Sequence, residues 1–285
     1  MIRFGPSGNC EAFYEAGLKQ TFQEPQWLHS LGLNAFEYSF GLGQFLTEKT
    51  ALKIGEEAKK YDIEVSVHAP YYINFSNMSE TSKENNHKFV FGSLKNLREM
   101  GGRHCVIHIG SQMKFTREEA LNNIKINFME VLKEKQNSEY SDLILCPEAM
   151  GKYKQIGTYQ EMFEICSWDD CLIPTLDFGH INCVLQGALK TKSDFKQILQ
   201  MGIDKLGFEK MKDLHIHFSK IMYGANGEIK HLTFEDEVYG PNFEPMLDAI
   251  YELKLEPVII SESAGTQAPD AKTMCEYFNK LVKQK

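Results

Sequence analysis

Short apolar runs alternate with longer amphipathic segments along most of this chain. The runs are four to eight residues long and rich in valine, isoleucine, leucine or phenylalanine. This profile is typical of strands that are buried on both faces of a parallel sheet. The pattern predicts eight such strands, beginning near Ile2, Ala35, Glu64, His104, Leu143, Ile173, Lys212 and Pro257.

The segments between the runs carry apolar residues at the three- and four-residue spacing of amphipathic helices. Predicted helices cover residues 51–60, 86–100, 120–132, 160–166, 195–206, 243–253 and 270–281. Strands that alternate with helices favour an α/β fold, a single (β/α)8 TIM barrel over residues 1–285. A doubly wound open sheet is the second interpretation. If it bound a dinucleotide it would need a glycine-rich turn after the first strand, and the GPSGN that follows Phe4 matches that turn poorly.

Composition restricts the partners and the compartment that we expect. The formal net charge is −8, so no general positive field attracts nucleic acid, and a polyanion would need a local basic patch or bound metal ions. The seven cysteines include no C-x-x-C pair, which favours reduced thiols in a cytoplasmic protein. No stretch resembles a signal peptide or a membrane span, and we expect a monomer without a membrane partner.

Six of the eight runs end in residues that can bind a metal. In a (β/α)8 barrel the carboxyl ends of all strands open at the same mouth, so these side chains are expected to converge there. One such residue alone could equally be a hydrogen-bonded core group, but six on one rim favour a metal site. The candidates are His68, His108, Glu148, Asp177 with His180, His215 with His217, and Glu262.

The mixture of imidazoles and carboxylates indicates which metals and which chemistry to expect. Such ligands suit zinc and, less exclusively, manganese or ferrous iron. Carboxylates can bridge two metals, and metals about 3.5–4 Å apart suit the cleavage of phosphodiesters. Bound divalent cations would also turn an acidic mouth into a receptor for an anionic substrate.

Seven segments, most of them at predicted strand ends, resemble motifs of one known family. They read SVHAPYYIN from Ser66, VIHIGS from Val106, PEAMGKYKQIGT from Pro147, LDFGHIN from Leu176, LHIHFSK from Leu214, KHLTF from Lys230 and ISESAG from Ile260. Together they make the chain similar to the endonuclease IV family of apurinic/apyrimidinic endonucleases, within the wider xylose-isomerase-like barrels. The resemblance implies a hydrolase with up to three zinc ions, or manganese, that cuts duplex DNA 5′ to abasic sites in base-excision repair.

The resemblance also implies how the ligands divide among three metals. The first set is His68, His108 and Glu148; the second is Glu148, Asp177, His215 and Glu262; the third includes His180 and His231. Glu148 and Glu262 would be the catalytic residues, because they orient the metals and no separate general base is needed.

Aromatic and basic residues near the expected mouth are candidates for contact with DNA. Tyr71 and Tyr72 stand where the family probes the DNA gap, although the two rings could equally be packing at the rim. Four lysines could contact phosphates or form a solvated rim: Lys152, Lys154, Lys220 and Lys230. The family's arginine-containing segment after the second strand has no counterpart here, where EYSFGLGQ begins at Glu37.

The third set lacks one ligand that the family would supply. The family's aspartate two residues before His231 is Ile229 here, and in an extended segment Glu228 would point to the opposite side unless the chain were kinked. His217 shares a strand face with His215, two residue rises or roughly 6.5 Å away. We therefore predict that His217 completes the third set. The alternative is that His217 only hydrogen-bonds a metal ligand, with Glu228 or water in the third set.

Two other function classes remain open at this point. A sugar isomerase or epimerase on the same barrel would use one divalent metal and a carboxylate pair such as Glu148 and Glu262 to move a proton beside a carbonyl. A non-catalytic protein that binds damaged DNA would not need a complete ligand set. The fold alone does not choose among these functions.

Overall fold

The computed structural model describes residues 1–283, which contain ten β-strands. They are β1 Arg3–Pro6, β2 Ala35–Ser39, β3 Glu64–His68, β4 His104–Ile107, β5 Ile144–Pro147, β6 Thr175–Asp177, β7 His215–Phe218, β8 Ile221–Gly224, β9 Gly227–His231 and β10 Val258–Ser261.

The same residues contain eleven α-helices and a short 3-10 helix, Thr21–Gln23. The helices are α1 Glu11–Glu15, α2 Glu24–Ser30, α3 Glu48–Tyr61, α4 Glu80–Glu99, α5 Arg117–Gln136, α6 Tyr159–Cys166, α7 Phe178–Val184, α8 Lys192–Leu206, α9 Phe208–Lys212, α10 Glu244–Leu253 and α11 Gln267–Lys283.

Eight of the strands are parallel and follow one another around a barrel. β1, β10, β7 and β6 pair in that order, and so do β2, β3, β4 and β5. Parallel bridges continue the ring at both junctions, from Ser7 to Glu37 between β1 and β2, and from Glu148 to Thr175 between β5 and β6. The predicted (β/α)8 architecture is confirmed, with every predicted strand and helix present.

Capping residues fix where the outer helices begin. Thr47 accepts a hydrogen bond from the backbone amide three residues later and so caps α3. Thr116 and Thr158 do the same for α5 and α6, where Glu119 and Glu161 complete capping boxes. The loops that leave the carboxyl ends of β4 and β5 therefore run into well-defined helix starts.

The sequence did not predict α7, which lies at the mouth of the barrel. It follows β6 directly, since Asp177 both ends the strand and caps the helix. One Asp177 carboxylate oxygen accepts a hydrogen bond of 2.8 Å from the backbone amide of His180. The strand end and the first helical turn therefore present two potential ligands side by side.

The antiparallel hairpin of β8 and β9 was also not predicted. Two consecutive residues of β8 lie opposite Lys230 and Glu228, so Ile229 is an extra residue that forms a β-bulge. The bulge shifts the alternation by one, which places Glu228 and His231 on the same side of β9. The backbone amide of Glu228 donates to the carbonyl of Gly151 (2.8 Å) and ties the hairpin to the loop after β5.

The barrel interior contains closely packed strands, a small apolar cluster and several polar side chains. β1 and β2 approach so closely that a Cβ at Gly5 would lie 1.8 Å from the carbonyl oxygen of Ala35. Ala35, Val258 and Ile260 form a small apolar cluster apart from the main core, which contains most of the buried apolar residues of the strands and helices. Buried polar residues of the strands include Glu37, Ser66, His104, His215 and His217.

Neither disulfides nor membrane-spanning helices occur in the described part of the chain. All seven cysteines are free thiols, five of them buried. Within residues 1–283 no helix is both long and apolar enough to cross a membrane. Packing and hydrogen bonding therefore hold this part of the fold together.

Glu24 provides a test of the packing around α2. The residue is fully buried, and neither carboxylate oxygen has a hydrogen-bond partner among the described residues. Burial raises the pKa of Glu24 from 4.5 to about 8. The folded state therefore holds this proton where the unfolded state has released it, and the free energy of unfolding falls as the pH rises from 4.5 through 8.

We expect Glu24→Gln to stabilise the protein increasingly over this pH range, by at most about 4–5 kcal/mol above pH 8. Urea denaturation at several pH values measures the difference in the free energy of unfolding. Glu56→Gln, at an exposed position on α3, is the matched control and should show no such trend. A Glu24→Gln difference that is equally large at pH 5 and pH 9 would contradict the argument.

Candidate metal centre

Three strand ends converge on one carboxylate oxygen. His68 ends β3, while His108 and Glu148 follow β4 and β5 directly. Glu148 Oε2 lies 3.1 Å from His68 Nε2 and 3.0 Å from His108 Nε2. His68, His108 and Glu148 form the first cluster, and they are the three residues that the family resemblance assigns to the first metal.

The other oxygen of Glu148 belongs to a second cluster. Glu148 Oε1 lies 3.0 Å from Nδ1 of His217, and Glu262 Oε2 lies 3.6 Å from the same nitrogen. Asp177 completes the group, since it is the Cα partner of His217 in the register of β6 and β7. Glu148, Asp177, His217 and Glu262 form the second cluster, in which Glu148 can bridge to the first.

The third cluster joins α7 to the hairpin. His180 Nε2 lies 3.5 Å from Glu228 Oε2, and His231 Nε2 lies 3.7 Å from Glu228 Oε1. The two imidazole rings meet edge to face, with centroids 5.5 Å apart. His180, Glu228 and His231 form the third cluster, which therefore has an acidic member.

The structure differs from the expected grouping at the two histidines of β7. His217, not His215, lies at the level of Asp177, because β7 begins at His215 and that residue pairs with Thr175 deeper in the barrel. His217 is also not in the third cluster, where Glu228 stands instead. The β-bulge at Ile229 supplies the kink that brings Glu228 to the side of His231.

Sequence reasoning missed Glu37, which lies beneath the second cluster. It is fully buried at the centre of β2, where its Oε2 accepts a hydrogen bond of 2.8 Å from Ser66 Oγ. His215 Nε2 lies 2.9 Å from Glu37 Oε2, and His217 Nε2 lies 2.9 Å from Glu37 Oε1. An acidic residue inside the apolar run AFEYSF was the available signal.

Hydrogen bonds to backbone carbonyls orient the imidazole rings of His68 and His180. His68 Nδ1 lies 2.7 Å from the carbonyl oxygen of Ala69, and His180 Nδ1 lies 3.0 Å from that of Ala149. A carbonyl oxygen only accepts, so each Nδ1 carries a proton and Nε2 is left to bind a metal. The backbone thus sets the orientation of two ligands before any metal arrives.

Burial and mutual attraction control the charges of the centre. Burial opposes ionisation of Glu148, but hydrogen bonds from His108, His217 and His68 hold its pKa well below the usual range. Burial also opposes protonation of His68, yet its hydrogen bond to Glu148 raises its pKa to about 9. Without metal, His68 and Glu148 thus form an imidazolium–carboxylate pair near neutral pH, and metal binding to His68 must displace a proton.

The residues fit a divalent metal. Within residues 1–283, the ion pairs of Glu148, Asp177, Glu228 and Glu262 are with histidines only. The Oδ2 atom of Asp177 is buried and has no hydrogen bond of acceptable geometry among these residues. Burial raises the pKa of this carboxyl, and repulsion by Glu262 and Glu148 adds to the effect. A bound cation would compensate for the burial of the Asp177 carboxylate and for its repulsion by Glu262 and Glu148.

A cavity of about 470 Å³ opens above the clusters. Tyr71 and Lys152, both predicted to contact DNA, line it, and the Tyr71 ring lies 5.5 Å from that of His68. Tyr72 is exposed near Phe89 and does not line the cavity. The other three predicted lysines also do not line the cavity. Lys154 and Lys230 are exposed, and Lys220 Nζ donates to the carbonyls of residues 234 and 236.

The chain is similar to known proteins along most of its length. Residues 25–281 match the model of a family described as xylose isomerase-like TIM barrels. This chain belongs to the xylose isomerase-like TIM barrel family. One relative, Uncharacterized protein MJ0133 of Methanocaldococcus jannaschii, is 31% identical over 281 residues, covering 99% of this chain and 98% of that protein. Another, "Probable endonuclease 4" of Listeria innocua serovar 6a, is 25% identical over 272 residues, covering 89% of each chain.

Solved structures of the same fold carry names that refer to more than one chemistry. A D-tagatose 3-epimerase-like protein superposes with a TM-score of 0.70 at 18% identity, covering 99% of both chains. Endonuclease IV from Thermus thermophilus superposes with a TM-score of 0.66 at 15% identity, covering 99% of this chain and all of that one. These similarities show the xylose isomerase-like fold, and the choice of chemistry depends on the clusters.

The third cluster can be tested by metal content. We expect Glu228→Gln to lower the metal content by about one ion per chain, because a neutral amide replaces the one carboxylate of that cluster. Elemental analysis after loading with zinc and desalting gives the number directly. Glu237→Gln changes an exposed acid of the following loop and should keep the full content. Equal metal content in the two variants would show that the third cluster holds no ion.

Proposed function

We propose that this protein is a metal-dependent phosphodiesterase that cuts duplex DNA 5′ to abasic sites. The observation that supports this most is the third cluster. Glu228 gives it a carboxylate, so the three clusters together offer ligands for three metals around one cavity. An enzyme that moves a proton with one metal has no use for the third cluster, whereas three cations suit a phosphodiester.

In the proposed reaction, the carboxylates of the first two clusters hold the metals. Bound zinc ions would supply an electrophile for the phosphate and lower the pKa of attacking water. Glu148 links the first two clusters, because its two oxygens face different imidazoles. Glu262 and Asp177 add negative charge on the far side of the second cluster. These carboxylates hold the reacting centre, and no separate general base is required.

The substrate follows from the cavity and the relatives. Lys152 on its wall can contact a phosphate, and the half-exposed ring of Tyr71 can stack on an unpaired base. The similarity to a protein named "Probable endonuclease 4" supports DNA as the substrate. The chain lacks a strongly basic surface, so the metals would supply much of the attraction for the phosphate.

A sugar epimerase is the second candidate. The second cluster alone contains two glutamates, an aspartate and a histidine, enough for one divalent metal with Glu148 and Glu262 facing a substrate carbon. The superposition on a D-tagatose 3-epimerase-like protein is consistent with it. Epimerisation of a ketose by protein that holds a single metal ion would favour this candidate over the nuclease.

The direct test is cleavage of a duplex that carries one abasic analogue, with and without chelator. We expect metal-dependent cutting on the 5′ side, and loss of this activity by several orders of magnitude in Glu262→Gln, which keeps the shape of a second-cluster ligand but not its charge. Glu237→Gln again serves as control. Undiminished metal-dependent cutting by Glu262→Gln would place the reacting centre elsewhere.

Salt dependence tests how the DNA is held. With a net charge of −8 and Lys152 as the one predicted DNA-binding lysine on the cavity wall, few counterions are released from the DNA. We expect the logarithm of affinity for abasic duplex to fall with the logarithm of salt concentration with a slope of about −2 to −4. Fluorescence anisotropy measures it. A slope near about −8 would require a basic footprint that this proposal lacks.

A further inference from the structure

We infer that Glu37 is a positioning residue that holds the His217 imidazole from below, so that its Nδ1 faces the second cluster. This inference rests on the proposed function only in requiring that the second cluster binds a metal. Glu37 itself touches neither the cavity nor the substrate, because it is fully buried and does not line the 470 Å³ cavity.

The two nitrogens of His217 face carboxylates on opposite sides. Nε2 lies 2.9 Å from Glu37 Oε1 below, within hydrogen-bonding distance but outside hydrogen-bond geometry, and Nδ1 lies 3.0 Å from Glu148 Oε1 above. A metal ligand needs an unprotonated nitrogen, so the proton of a metal-bound His217 must sit on Nε2. Among residues 1–283, neither His217 Nε2 nor Glu37 Oε1 has another hydrogen-bond partner, so Glu37 Oε1 is the acceptor available to that proton. A hydrogen bond between them in the metal-bound protein would make Nδ1 the more basic ligand and fix the ring.

Two further contacts hold the Glu37 carboxylate in place beneath the His217 ring. Its Oε2 accepts a hydrogen bond from Ser66 Oγ (2.8 Å) and lies 2.9 Å from His215 Nε2. Below these, His215 Nδ1 lies 3.4 Å from His104 Nδ1. The carboxylate is thus held by two polar partners on neighbouring elements, which leaves Oε1 for His217.

These contacts also explain the pair of histidines on β7. His215 and His217 share one strand face and both reach Glu37, one at each carboxylate oxygen. Glu37, His215 and His217 could in principle hold a further metal, since their ligand atoms lie within 4.8 Å of one another. The hydrogen bond from Ser66 uses the same oxygen that faces His215, and this favours a hydrogen-bonded brace over a metal site.

Stepwise metal binding tests the inference. Wild-type protein, stripped of metal, is titrated with zinc against a chromophoric chelator, as are Glu37→Gln and the milder Ser66→Ala. In Glu37→Gln we expect the affinity for one zinc ion, the ion bound by the second cluster, to fall about 10- to 100-fold. In Ser66→Ala the affinity for that ion should fall less. Glu24→Gln also replaces a buried carboxyl group, but away from the clusters, and all its zinc affinities should match the wild type.

A second readout separates positioning from a general loss of stability. In zinc-loaded wild-type protein, the buried Nε2–H proton of His217 should give a downfield NMR signal that exchanges slowly with water. In Glu37→Gln that signal should move upfield, because a neutral amide oxygen is a weaker acceptor than a carboxylate. The signal should stay in place in Glu24→Gln.

The possible results are distinct. Zinc affinities of folded Glu37→Gln that stay within about twofold of wild type would overturn the inference and leave the proposed function intact. A fourth zinc that Glu37→Gln loses would also overturn it, since Glu37 would then be a ligand. If Glu37→Gln does not fold, unchanged affinities in Ser66→Ala overturn it. Wild-type protein that binds no zinc would refute the proposed function as well.

Discussion

The Glu148 carboxylate is the interaction on which the mouth of the barrel depends. It is buried at the end of β5, and its two oxygens lie within 3.1 Å of three imidazoles from β3, β7 and the loop after β4. A buried carboxylate is tolerated only where charge and hydrogen bonds compensate for lost water. These strand ends are therefore held together electrostatically as well as by the barrel wall, and the first two clusters cannot form independently.

The fold and most of the candidate ligands could be predicted from the sequence for one physical reason. Strands buried on both faces read as apolar runs, and a histidine or acid at the end of such a run stands out. His68, His108, Glu148 and Glu262 were found in this way, because each lies at or just after the last residue of its strand. Where the chain is regular, position along a strand is enough to locate a side chain.

The predicted grouping of the ligands is wrong where a side chain's position depends on its depth in the barrel or on strand register. The segment DLHIHFSK, from Asp213, does not show that His215 is the first residue of β7. The sequence therefore predicts His215 beside Asp177, where the structure places His217. The bulge at Ile229 depends on how β9 pairs with β8, which a single segment does not encode. Glu37 lies in the middle of β2, and the sequence of that strand does not show whether its carboxylate faces the barrel interior.

The third cluster separates two enzymes that one barrel could support. The proposed function requires three metals at this mouth, with Glu148 as a ligand of two of them and Glu228 as a ligand of the third. Anomalous diffraction from zinc-loaded crystals tests it most directly. We predict three peaks, two of them about 3.5–4 Å apart on either side of Glu148, and one beside His180, Glu228 and His231. A single peak in the second cluster would contradict the account.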